Sequence, residues 1–169
     1  MSNDDYDQLG YFSLALLYLT LGFGCLIGTA IMGKIGVKKS LMLGSFCDTL
    51  WVLCSLPPAL KAENPGTDSF FFSEGFIYFT ALFASILDGF GDAVQWVAQG
   101  KYIADCATEK TKGFYFSYFW TYYMSSQVFG NLIAAFVLKY FKQSTFFLIM
   151  AAFSSSSILI FGLLQAPVL

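Results

Sequence analysis

The chain has no arginine and no histidine among its 169 residues. Without imidazole there is no side chain poised for proton relay near neutral pH, and no nitrogen to hold a metal. Without guanidinium nothing can grip a carboxylate or a phosphate through two parallel hydrogen bonds. All nine basic residues are lysines, and charged residues of both signs make up only 12% of the chain. Cysteine is scarce too. Cys25, Cys47, Cys54 and Cys106 show no ligand-like spacing, and three of them sit in apolar stretches, which is how buried free thiols are placed. The first residues, Met1 to Gln8, are acidic and polar. They form neither a secretory signal nor a cleavable arginine-rich transit peptide. No Asn-x-Ser/Thr sequon occurs, which argues against a glycosylated lumenal loop. No nucleophile, metal or phosphate-loop constellation is present, so an enzyme is not expected, nor a cofactor, a metal or a nucleic-acid partner.

What is present is apolar surface. Hydrophobic residues make up 57% of the chain, and the mean hydropathy is +0.64. A soluble domain of this length cannot hide that much, so lipid must be part of its solvent. A spanning helix needs about 20 mostly apolar residues. Five segments qualify: 11–32, 40–60, 76–100, 114–138 and 144–164. Barrel strands would be shorter and would alternate. The expected fold is therefore all-α, a polytopic membrane helix bundle formed by a single unit over residues 1–169.

Lysines set the orientation. Lys34, Lys38, Lys39, Lys101, Lys110 and Lys112 fall in the first and third connections, and Lys61, Lys139 and Lys142 in the second and fourth. The positive-inside rule places the first set on the inner side, the N-terminus outside and the C-terminus inside. Pro57-Pro58 is expected to close the second helix, and Pro65-Gly66 to turn the loop from Lys61 to Gly75. Phe70, Phe71 and Phe72 are placed at the outer interface. The aromatic run from Phe114 to Tyr123 reads as an interfacial belt, with a cage for an aromatic ligand as the other reading. Gly24 and Gly28, and Ser126, Gly130 and Ala134, repeat every four residues, a spacing that lets helices approach closely.

The most informative stretch is Gly89-Phe90-Gly91-Asp92-Ala93-Val94-Gln95-Trp96-Val97-Ala98-Gln99-Gly100-Lys101-Tyr102. Its block from Trp96 to Tyr102 resembles the Unc-ninety-three-like (ion channel regulatory protein) branch of the major facilitator superfamily. So do Leu9 to Ala15, Gly36 to Leu41, and the block from Ser126 to Ile133 with Gly130 and Asn131. The blocks follow the family's order over most of residues 9–138. Trp96, Gln99, Gly100, Tyr102, Gly130 and Asn131 are the motif positions that carry over. The lysine block also looks like a degraded form of the superfamily's loop signature, with Gly33 and Lys34 where an acid and an arginine would stand. The resemblance implies that the five segments match helices two to six of a twelve-helix transporter, a half lacking its first helix. Transport in the superfamily resembles rocking of two halves about a central site. Such a truncated half is not expected to alternate alone.

Asp88, Asp92, Gln95, Gln99, Tyr102 and Cys106 are spaced four, three, four, three and four. They share one face of the third segment. An acid at mid-bilayer costs at least about 2.5–3.5 kcal/mol on insertion scales, and no lysine lies within the segment to offset it. Three readings stand. The acids are protonated or meet local water, or the stripe contacts a partner's cations or donors, or it forms a cation or proton site. Asp48 bears on the last, because Asp48 and Asp92 each lie about 12 Å of helix from the inner boundary.

The function expected is an accessory or structural subunit docked in a larger membrane protein complex. Its partners would be lipids and other subunits, and it would derive from a major-facilitator-like transporter without transporting by itself. The alternative is half of a transporter or channel-regulatory protein completed by another chain. The compartment expected is the mitochondrial inner membrane, with plasma or endomembrane as the alternative.

Overall fold

The computed structural model describes residues 7–66 and 69–165. Most of the acidic N-terminal stretch lies outside the described residues. Six α-helices follow one another: α1 (Asp7–Ile35), α2 (Val37–Cys54), α3 (Leu56–Glu63), α4 (Glu74–Asp105), α5 (Lys112–Tyr140) and α6 (Gln143–Gly162), with a 3₁₀ turn at Phe70–Phe72 before α4. No strand occurs among the described residues. The fold is an all-α membrane bundle.

Among the described residues, four stretches are long and apolar enough to cross a membrane: α1, α2 with α3, α4, and α6. The fourth expected span, 114–138, is less apolar than these. Its helix, α5, runs for 29 residues, but Thr121, Ser125, Ser126, Gln127 and Asn131 interrupt its apolar surface. The second expected span, 40–60, is broken. α2 stops at Cys54, Ser55 caps both helices, and Pro57 and Pro58 occupy the opening turn of α3. The prolines therefore start a helix rather than end one, because a first turn leaves its N–H groups unused anyway. The third span is longer than expected. α4 continues to Asp105, so Lys101 is helical and pairs with Asp105 at 2.8 Å across one turn.

α1 and α2 join at Gly36, whose φ of +85° suits a residue without Cβ. That turn and the α4–α5 connection lie at one end of the bundle. The C-terminal end of α4 is tied to the chain beyond α6, because the Tyr102 hydroxyl donates to the Gln165 carbonyl at 3.2 Å. At the other end Glu63 closes α3 onto α6. The Ser144 N–H and hydroxyl donate to its two carboxylate oxygens, both at 2.8 Å. A carboxylate at a helix start satisfies orphan N–H groups and suits the helix dipole.

α4 is the central helix, with α1 on one side and α2 on another, while α6 packs against α2. Glycines set these approaches. A Cβ at Gly24 would lie 2.7 Å from the Ala93 Cβ, and one at Gly28 would lie 3.3 Å from the Ala93 carbonyl oxygen. On the α2 side, a Cβ at Gly91 would lie 2.5 Å from the Cys47 Cβ. Met32, Leu41 and Ala98 form a small core near the C-terminal ends of α1 and α4, flanked by Val97 and Phe161. α5 stands apart. Only Val137 is buried along its length, and a Cβ at Gly130 would meet nothing within 4 Å. The expected packing face of Ser126, Gly130 and Ala134 thus meets no helix of this chain at Gly130. It borders a cavity of about 800 Å³ between α5 and α6.

Candidate functional site

The polar stripe of α4 divides in two. Its N-terminal part turns toward α2. Asp88 is only 3% exposed, Asp92 and Asp48 are half-buried, and one carboxylate oxygen from each of the three lies within 4.8 Å of the others. Asp48 comes from α2, one residue after Cys47, whose Cβ touches Gly91. The Gly91–Cys47 approach thus holds the two backbones close enough for three carboxyls to share one place. Gln95, one turn further along α4, lies against α2 at Gly44, where a Cβ would collide with its carboxamide.

The C-terminal part of the stripe faces elsewhere. Gln99, Tyr102 and Cys106 line a second cavity of about 400 Å³, bordered by Tyr115, Tyr118 and Phe119 of α5 and Phe161 of α6. The stripe splits because α2 runs antiparallel along α4 from Ser85 to Ala98, while α5 meets α4 only toward its C-terminal end. Trp96 marks that junction. It stacks on Trp120 with ring centroids 6.2 Å apart and meets Tyr123 edge-on at 5.2 Å. Part of the aromatic run is therefore helix-packing surface. Phe114, Tyr118 and Tyr122 remain exposed. Gly100 has open space around it, and Asn131 is exposed on α5.

Several contacts around the site were not singled out from the sequence. The Trp51 indole N–H donates to the Ser85 hydroxyl at 3.2 Å, one turn from Asp88. Thr49 and Ser154 pair at 2.9 Å between α2 and α6. Gly44, Gly89 and Gly91 form the close approaches on either side of the acids. Gly89 and Gly91, which lie between Asp88 and Asp92, were a usable signal, since small residues beside intramembrane polar groups mark helix contacts.

The family model described as ion channel regulatory protein UNC-93 matches residues 65–169, which include α4, its acids and α5. The chain belongs to the UNC-93 family. Among curated relatives it is 27% identical to UNC93-like protein 3 of Arabidopsis thaliana over 148 residues, 82% of this chain and 28% of that protein. It is 26% identical to UNC93-like protein MFSD11 of Xenopus tropicalis over 132 residues, 78% of this chain and 26% of that protein. The chain thus spans little more than a quarter of the relatives' length. No solved structure matches it. With this membership and four membrane-length apolar stretches, this UNC-93 family member is an integral membrane protein.

Proposed function

We propose that this UNC-93 family chain acts as an accessory or regulatory unit docked to another membrane protein, and does not transport by itself. The observation that carries this reading is α5. It is 29 residues long with one buried residue, and its exposed side bears the carboxamides of Gln127 and Asn131. Lipid tails offer such groups no hydrogen-bond partner, whereas a neighbouring transmembrane helix does. The open space at Gly130 would admit a backbone at close range.

The family's description as ion channel regulatory protein is in keeping with a role exerted through another membrane protein. A second reading is a transporter half of major-facilitator type completed by other helices. It is favoured by a match that covers about a quarter of each relative. The compartment we propose is the mitochondrial inner membrane, whose large complexes house accessory helices; fractionation of intact organelles tests it.

Native assembly size in a gentle detergent, with cross-linking from Ser126→Cys and Asn131→Cys, distinguishes the readings. A large stable assembly, cross-linked through α5 to a different protein, supports the docked unit. A pair of half-transporters around a central aqueous cavity supports the second reading. A monodisperse monomer that melts cooperatively would sink both.

A further inference from the structure

The acids of α2 and α4 are not explained by docking through α5, which lies elsewhere. Among the described residues, the buried side-chain oxygens without a hydrogen-bond partner are Ser45 Oγ, Asp88 Oδ1 and Gln95 Oε1. All three flank or belong to the carboxylate cluster. Ser45 is three residues before Asp48 on α2, and Gln95 three after Asp92 on α4. Asp88 is itself in the cluster and 3% exposed, so its free oxygen is an acceptor sealed from solvent. Buried polar groups are nearly always paired, and an orphan calls for an explanation such as a bound ion or water. Proton sharing among the three carboxyls is the alternative to a bound ion.

We infer that Asp48, Asp88 and Asp92 form an intramembrane site for one hard divalent cation. The donor set is all carboxylate oxygen, with no thiolate or imidazole, which suits calcium, magnesium or manganese rather than soft metals. Oxygens around a calcium-sized ion stand about 2.3–2.6 Å from it, hence up to about 5 Å from each other. The separation of the three donors, within 4.8 Å, fits that sphere. Charge points the same way. Three carboxylates and one divalent ion leave a single negative charge, which one shared proton removes, and a monovalent ion would leave more charge in low dielectric. The site is formed by two helices, so the ion would tie α2 to α4.

The test uses the full chain in lipid nanodiscs titrated with Mn²⁺, whose free aquo-ion EPR signal falls on binding. Saturable binding of one Mn²⁺ per chain is expected, with Ca²⁺ or Mg²⁺ competing. Asp48→Asn and Asp92→Asn should each weaken it at least about tenfold. Asp105→Asn, at the C-terminal end of α4, should leave it unchanged. Infrared spectra of the unaltered chain give a readout without mutation: Mn²⁺ should diminish the protonated-carboxyl band. Absence of saturable binding up to about 1 mM Mn²⁺, the weak end of protein calcium sites, overturns the proposal in favour of shared protons. So does binding that survives Asp48→Asn, or that leaves the carboxyl band unmoved. Neither result bears on docking through α5.

Discussion

Gly89→Ala should separate the α1 side of α4 from the rest of the bundle. A Cβ at Gly89 would run into the Leu17 carbonyl oxygen and the Thr20 hydroxyl of α1. The hydroxyl is not free to swing away, because it donates to the Leu16 and Leu17 carbonyls at 2.9 Å each. The carbonyl belongs to the backbone and can move only with its helix. Against this stands helix propensity, which favours alanine over glycine by about 0.5–1 kcal/mol. Overpacking of a tight contact costs about 1–3 kcal/mol, and a backbone partner places this contact in the upper part of that range. The net expectation is a loss of about 1–2 kcal/mol, read as a lower midpoint in thermal or denaturant unfolding in detergent micelles. Removing the hydroxyl does not remove the carbonyl, so Thr20→Ala should rescue Gly89→Ala only in part. Gly130→Ala is the matched control. With nothing within 4 Å of its Cβ, it should show only the propensity gain of up to about 1 kcal/mol. Gly89→Ala melting at or above the unaltered chain would refute the α1–α4 geometry. A full rescue by Thr20→Ala would refute the role given to the Leu17 carbonyl.

Trp51→Phe removes the hydrogen bond to Ser85, which is fully buried, and should cost about 1 kcal/mol or more, with a double-mutant cycle against Ser85→Ala showing coupling. Glu63→Ala should speed amide exchange over the first turn of α6, at Ser144 to Phe147, while leaving α1 and α4 unchanged; uniform exchange across the chain would contradict the local role. Cysteines replacing Lys38 and Glu109, both exposed, should be labelled from one side of the membrane and a cysteine replacing Asn64 from the other; labelling of positions 38 and 64 from the same side would defeat the topology.

Much of the architecture was legible one helix at a time. Composition required lipid, and length and apolarity located α1, α4 and α6 within a few residues of their observed bounds. The blocks around Trp96 and Asn131 pointed to the UNC-93 family, to which the chain belongs. Boundaries that depend on local competition were less legible. The break at Ser55 arises where two prolines can begin a helix as readily as end one. α5 carries enough apolar residues to count as a membrane segment by eye, yet its Ser, Thr, Gln and Asn side chains keep it below the measure the other four meet.

Spacing along the chain determined that Asp88, Asp92, Gln95 and Gln99 share a face of α4, because 3.6 residues per turn fixes their angles about one axis. It could not say what that face meets, since the rotation of one helix against another is set by packing. Only the tertiary structure decided that α2 supplies Asp48 to Asp88 and Asp92, and that Gln99 faces a separate cavity beside α5. The same holds for the small residues. The repeats at Gly24 and Gly28 and at Gly130 look alike in sequence, yet the first lies against Ala93 and the second against open space. A glycine permits a close approach, and whether one occurs depends on which neighbour the bundle brings there.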